Sequence, residues 1–309
     1  MSAPLFVRGN YSDLFSSSQL PVLEALFRWE LSQYDSKREM LFNVRKTDRD
    51  IYQTSELADL PMFSSIPEGT DYTYSTVRQG ASKTIVPVKY GLGFTISEEA
   101  VDDGKFDHIA DMVKKLAKSA RETQEIQAMN IFNNAFGSQT TADGLSLCNT
   151  AHTLPSGGTF RNRASSDVDL SETALQSAMT DFETQFVGDT GIIYSIKPKV
   201  LLVAPANKRY AQELVGSDKK PDSSDNNLNA LKSDGLVVVS SPHITDTDAW
   251  FLLAEKSQTG LDIISRKGVM TKAAGPDSGF DNDSIKYKSS YREKIDTIHA
   301  YGVWGTSGG

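Results

Sequence analysis

Lys199-Val200-Leu201-Leu202-Val203-Ala204-Pro205-Ala206-Asn207-Lys208, followed after a polar gap by Leu236-Val237-Val238-Val239-Ser240, is the stretch on which the reading of the fold turns. A short unbroken apolar run of this kind suits a strand covered on both faces. Pro205 ends it and opens a helix through Leu214, because proline fits the first helical turn. The gap from Ser217 to Asn229 then leads to the second strand. Ala249 to Ala254 and Leu261 to Ser265 complete what reads as a small mixed sheet. Upstream, Asp169-Leu170-Ser171-Glu172 starts a helix through about Phe186, with Leu175, Met179, Phe182 and Phe186 on one face.

Further upstream, the run from Lys105 to Phe136 contains neither glycine nor proline and is bracketed by Gly104 and Gly137. Phe106, Ile109, Val113, Leu116 and Ala120, then Ile126, Met129 and Phe132, recur at helical steps. Its charged middle, Lys114 to Glu125, leaves one stripe to bury, and the heptad is too brief for a coiled coil. Nearer the start, Pro21 opens a short helix with Leu23, Phe27, Leu31 and Tyr34 on one face. That stripe packs either on its own domain or on a neighbouring subunit. Between these helices, Tyr72 to Val77 and Lys83 to Tyr90 read as the arms of a hairpin, with Pro87 at an edge or bulge. A two-stranded hairpin is marginal in water, so further strands or another chain must cover it. Beyond the glycine-rich break at Gly275 to Gly279, Ser284 to Arg292 and Ile295 to Trp304 read as two long terminal strands. The class is α+β.

The 309 residues are 39% hydrophobic and 23% charged, ordinary for a folded protein, with a formal net charge of −8. That balance argues against a protein built to grip nucleic acid, which would show a basic face. No apolar run reaches the roughly 20 residues of a membrane span, and the first residues lack signal-peptide character. With Cys148 the only cysteine, no intrachain disulfide can form, and a reducing cytoplasm is the expected place of folding.

Candidate chemistry is sparse. Cys148 and His152 lie four residues apart, but nothing nearby lowers the thiol pKa or orients the imidazole. Gly91-Leu92-Gly93 lacks the third glycine and the following helix of a phosphate cradle. Glu98, Glu99, Asp102 and Asp103 suit a helix start better than acid–base work. Ser217 to Lys220 has serine–lysine spacing without companion motifs. Trp29, Trp250 and Trp304 read as core or interface anchors. No catalytic, metal-binding or cofactor-binding set is expected, and the chain reads as a non-enzyme.

The order of elements resembles the HK97-type major capsid protein of tailed phages. Most of the weight lies on Leu201 to Ala206, the helix through Leu214-Val215, the gap with Asn226-Asn227-Leu228-Asn229, and Leu236 to Pro242. Val88 to Ala100 and Asp143 to His152 are similar to the Mu-type major head subunit. The resemblance implies an HK97-like capsid fold. Residues 1–45 would be an N-arm with a short amphipathic helix, and 46–97 the E-loop region. Residues 98–168 and 266–309 would form the peripheral domain around a spine helix at 105–136, and 169–265 the axial domain. It also implies self-assembly into hexamers and pentamers of an icosahedral shell enclosing double-stranded DNA, in the cytoplasm of a bacterial host. The expected partners are other copies, a separate scaffold protein, a portal, and in some particles a decoration protein. Leu23, Phe27, Leu31, Tyr72, Tyr74, Lys83, Ile85, Val86 and Lys89 are the expected subunit contacts, with Lys83 or Lys89 at the place of a cross-linking lysine but no matched acceptor. Two other readings are a cellular encapsulin-type compartment and a Cys148-dependent hydrolase or transferase.

Overall fold

The computed structural model describes residues 20–97, 99, 100, 103, 106–219, 228–274 and 284–309. The serine-rich start, the pair Asn226-Asn227, the break at Gly275 to Gly279, and Gly104 with Lys105 lie outside those residues.

The helix read from Pro21 is α1 (Leu20–Gln33), followed by the single turn α2 (Lys37–Leu41). The long helix is α3 (Phe106–Asn133), about 42 Å of rod at 1.5 Å per residue. Its apolar stripe does two jobs. Ile109, Val113, Leu116 and Ala117 pack with Leu23, Leu26 and Phe27 of α1, so that stripe is satisfied within its own chain. Ala128, Met129 and Phe132, one or two turns from the other end, pack under the axial sheet.

That sheet has the order β12-β9-β7-β8, from β7 (Val200–Val203), β8 (Val237–Ser240), β9 (Trp250–Leu253) and β12 (Val303–Thr306). β8 runs parallel to β7, and β9 is antiparallel to both β7 and β12. Strand pleating sends alternate residues to opposite cores. Val200, Leu202, Phe251 and Leu253 meet the long helix, while Leu201, Val203, Trp250 and Leu252 meet α4 (Glu172–Thr184) and α5 (Lys208–Gly216). Both faces are dry, which explains the continuous apolar run. Ser171 caps α4 by accepting the Ala174 N–H at 3.2 Å. The buried Asn162 pins the preceding loop to the C-terminal strand through Leu147 O (2.7 Å) and Val303 O (3.0 Å).

The second large sheet has the order β1-β10-β11-β4 and corrects three expectations. Its members are β1 (Asn43–Lys46), β4 (Val88–Ser97), β10 (Leu261–Ala273) and β11 (Ser284–Thr297). The strand read at Leu261 to Ser265 belongs here rather than to the axial sheet, and it continues to Ala273 past register shifts near Lys267. The domain boundary expected after Ser265 therefore falls inside a strand. The two terminal strands are one strand, β11, plus β12, which crosses into the axial sheet and takes residues 303–306 out of the expected peripheral block. The hairpin is also re-drawn. β2 (Tyr52–Leu57) pairs with β3 (Gln79–Ile85), while 72–77 forms no strand and Lys83 to Tyr90 is split at Val86-Pro87. Pro87 cannot donate, so the chain leaves one ladder there and joins another, β4 against β11.

Arg38 of α2 and Glu293 of β11 clamp the N-terminal segment to this sheet. The guanidinium donates to both carboxylate oxygens, at 2.6 and 3.2 Å, with both side chains buried. Glu293→Ala strands a buried cation and should cost about 3–5 kcal/mol, read as a lowered urea midpoint of the soluble subunit. An unchanged midpoint would show that the clamp contributes nothing.

Candidate assembly surface

The β2–β3 ribbon carries the feature that stands out on this molecule. Ladder pairs run from Tyr52↔Ile85 to Leu57↔Gln79, and Ala58 N–H donates to Arg78 O at 2.8 Å. Beyond that bond the chain leaves the body, and every residue from 60 to 79 is exposed. The tip is a tight turn in which Thr70 N–H and Oγ1 both reach Pro67 O, with Gly69 at φ +82°. Phe63 is 104% exposed, Tyr74 92% and Tyr72 73%, with Leu60, Met62 and Ile66 beside them. So many large apolar groups in one exposed segment mark a contact surface.

The root of the ribbon, by contrast, is held tightly. Lys83 Nζ donates to Asp296 Oδ1 (2.7 Å), to Thr297 O (2.9 Å) and to Thr140 O. Gln139 supports the same carboxylate at 2.8 Å. Ile85 is buried against Ile264, Ile298 and Tyr52. Tyr194 donates to Asp59, and a cavity of about 210 Å³ between ribbon and body is lined by Glu56, Asp59, Asp189, His299 and Tyr301. Burial, reinforced by the nearby Asp143 charge, lifts the Glu56 carboxyl from 4.5 to about 7, with His152 opposing. Burial also raises the Asp143 carboxyl, but hydrogen bonds from His152, Thr141 and the Leu145 N–H outweigh it and leave Asp143 below its ordinary value. Burial lowers His299 to about 4.

The expected contact residues divide between these two environments. Tyr72, Tyr74, Val86 and Lys89 are exposed. Leu23, Phe27 and Ile85 are fully buried in their own chain and Leu31 is half-buried, because α1 lies on α3 and Ile85 plugs the ribbon root. Lys83 is taken up by three acceptors, which removes it from the place of a cross-linking lysine. Phe63, Met62 and Leu60 were not singled out in the sequence. Their only signal is bulky apolar residues set among prolines, serines and glycine.

Cys148 is buried and burial pushes its pKa up, against the nearby Arg163 charge. The expectation that nothing orients the His152 imidazole is corrected, since its ring nitrogens face Asp143 Oδ2 (2.7 Å) and Leu147 O (3.2 Å). Gly91 and Gly93 lie inside β4, where a Cβ at Gly93 would come 2.9 Å from Tyr287 O. Ser217 Oγ donates to Lys219 O at 2.6 Å, with Lys220 outside the described residues. Glu98 and Asp102 also lie outside them. Trp250 and Trp304 pack in the core with ring centroids 5.0 Å apart and planes tilted by 41°. Among the described residues no group of carboxylates, histidines and cysteine could hold a metal ion, and no helix is long and apolar enough to cross a membrane.

A ribbon and loop thrown off a long helix, a four-stranded sheet and a compact α/β unit together make the HK97-like capsid fold. The chain belongs to the phage capsid protein family, whose model matches residues 80–304. No curated protein matches it significantly. It resembles the virus-like particle protein from Pyrococcus furiosus at 12% identity and TM-score 0.54, over 92% of this chain and 97% of that one. The mature capsid protein of bacteriophage PhiM1 matches at 13% identity and TM-score 0.56, over 88% and 86%. A chain from the capsid of bacteriophage JBD30 decorated with minor capsid protein trimers matches at 11% and 0.53, over 69% and 92%. The protein is thus a phage capsid protein, a structural component of the virion capsid.

Glu56 gives the ribbon root a pH signature. In the folded chain it keeps its proton up to about pH 7, whereas the unfolded chain loses it near 4.5. Between those values the native state binds the extra proton, so stability falls as pH rises and levels off above 7. Glu56→Gln should flatten this slope in urea midpoints of the soluble subunit. An unaltered slope would assign it to another group.

Proposed function

We propose that residues 58–78 are the E-loop and lie across a neighbouring subunit in the head, while the rigid ribbon root sets their direction. The observation that carries this reading is the contrast just described: an apolar, fully exposed loop on an anchored base. Exposed aromatics at that density gain roughly 1.5–3 kcal/mol each when a partner covers them. Isolated subunits lack that cover, and adjacent copies in a ring supply it head to tail.

The rest of the chain fits the same plan. Residues 1–45 serve as the N-arm, with the helix part of that arm folded on α3. Residues 46–97 form the E-loop region, and 98–168 with most of 266–309 form the peripheral domain around the spine helix. Residues 169–265 form the axial domain, joined by the strand at 303–306. Val86 and Lys89, exposed where the ribbon meets the sheet, belong to the same contact. The head assembles in the bacterial cytoplasm on a separate scaffold protein, with a portal, and encloses double-stranded DNA. The stretches Val88 to Ala100 and Asp143 to His152 support placing it in the Mu-type subgroup. The decorated JBD30 capsid makes a trimeric decoration protein a reasonable further partner.

Replacing Phe63, Tyr72 and Tyr74 together by serine tests the central point. The subunit should keep its circular dichroism and thermal transition but yield no closed shells by electron microscopy. Normal shells from the triple variant would overturn the assignment.

A further inference from the structure

Beyond residue 266 of β10, the face of the long sheet turned away from α3 is strongly basic, although the chain as a whole is acidic. At the other end of the sheet Asp262 and Asp296 are paired with Arg45 and Lys83. Strand stretches 88–97, 266–273 and 286–292 contain one, three and three lysines or arginines respectively, and no aspartate or glutamate. The ladder gathers them. Lys272 lies directly opposite Lys288, Lys267 opposite Arg292, and Arg292 opposite Lys89. Like charges placed opposite each other destabilise a sheet. Arg266 is paired with Asp50 at 3.1 Å, and Arg292 Nε donates to Pro87 O. Among the described residues, Lys89, Lys267, Lys272, Lys286 and Lys288 have no carboxylate partner. The face is also troughed, because Gly91 and Gly93 bring no side chains between these lysines. The resulting groove measures about 610 Å³. A second groove of about 360 Å³ lies beside Lys267, Met270 and Lys272.

The exposed loop has the opposite character. From residue 58 to 78 it contains Asp59, Glu68 and Asp71 against a single basic residue, Arg78, at the root. Asp59 is held at the root by Tyr194, while Glu68 sits in the turn at the tip, Asp71 follows it, and both are exposed. We infer that the basic sheet face of one subunit is the landing site for the acidic loop tip of a neighbouring copy. This rests on the proposal that the loop reaches a neighbour, and it names the surface that receives it. Charge complementarity carries it, and the stoichiometry agrees: each copy presents one acidic tip and one basic face, as a repeating head-to-tail contact requires. The other anionic candidate, packaged DNA, is an outcome of the test.

The test uses the full chain in a shell-assembly reaction. Glu68→Lys with Asp71→Lys, and separately Lys272→Glu with Lys288→Glu, should each cut shell yield by about ten-fold or more at low salt, since two charge pairs are reversed at every repeat of the contact. Combining all four should restore shells, which a merely misfolded variant would not do. Raising ionic strength should weaken the parent contact in the same direction. Normal assembly of either double variant would overturn the inference. So would shells of the sheet variant that form normally but retain less DNA, which would assign the face to DNA. Deleting residues 60–77 separates the two levels. If that deletion blocks assembly while the charge variants are neutral, the loop docks on a neighbour but not through these charges. If the deletion assembles normally, the underlying reading fails as well.

Discussion

Everything in this subunit is organised by the packing of Phe132, at the C-terminal end of α3, between Phe42 and Phe251, with ring centroids 5.8 and 5.2 Å apart. This one side chain touches the segment leading into the long sheet and the central part of the axial sheet. Because α3 is glycine- and proline-free, it transmits that position along its length to α1 and to β4 and β11. Two four-stranded sheets are thereby held by one helix. The ribbon grows from the strands so positioned, which is why a loop with little support of its own can still leave the body in a defined direction.

The parts that were legible in the sequence are those in which one local pattern decides the outcome. The long helix, the helix capped by Ser171, and the strands around Leu202 and Phe251 are strongly periodic or continuously apolar. Neighbours in space only confirm what their own residues dictate. The pairings that escaped are those in which partners lie far apart. Tyr72 to Val77 has ample β-propensity, yet β3 pairs with Tyr52 to Leu57, because Lys83 finds Asp296 and Ile85 finds Ile264 at the base. Leu261 to Ser265 resembles another axial strand until its partner in β11, Glu293 to Thr297, claims it.

The same limit hid the lysine-rich face of the long sheet. Lys89, Lys267 and Arg292 look like scattered solvated residues along the chain, and a net charge of −8 argues against a basic face. Only the ladder, β4 against β11 against β10, brings them into one row. Conversely, Leu23 and Phe27 look available to a neighbour until α3 covers them. Composition averages over the surface, whereas sheet register concentrates it.

The long sheet also sets when a newly made chain becomes usable. β1 at residue 43 pairs with residue 262, and β4 at residue 88 pairs with residue 293. Such pairings join segments some two hundred residues apart, and contacts of that span form late because loop closure must come first. The axial sheet closes over shorter spans, although its edge strand β12 is the last to be made. Strand β4 continues directly from the root of the projecting loop and, with β10 and β11, makes up the lysine-rich face. The anchor of that root at Asp296 and the lysine-rich face are therefore completed in the same late step, so a half-synthesised chain carries the loop without its anchor and without the face proposed to receive it.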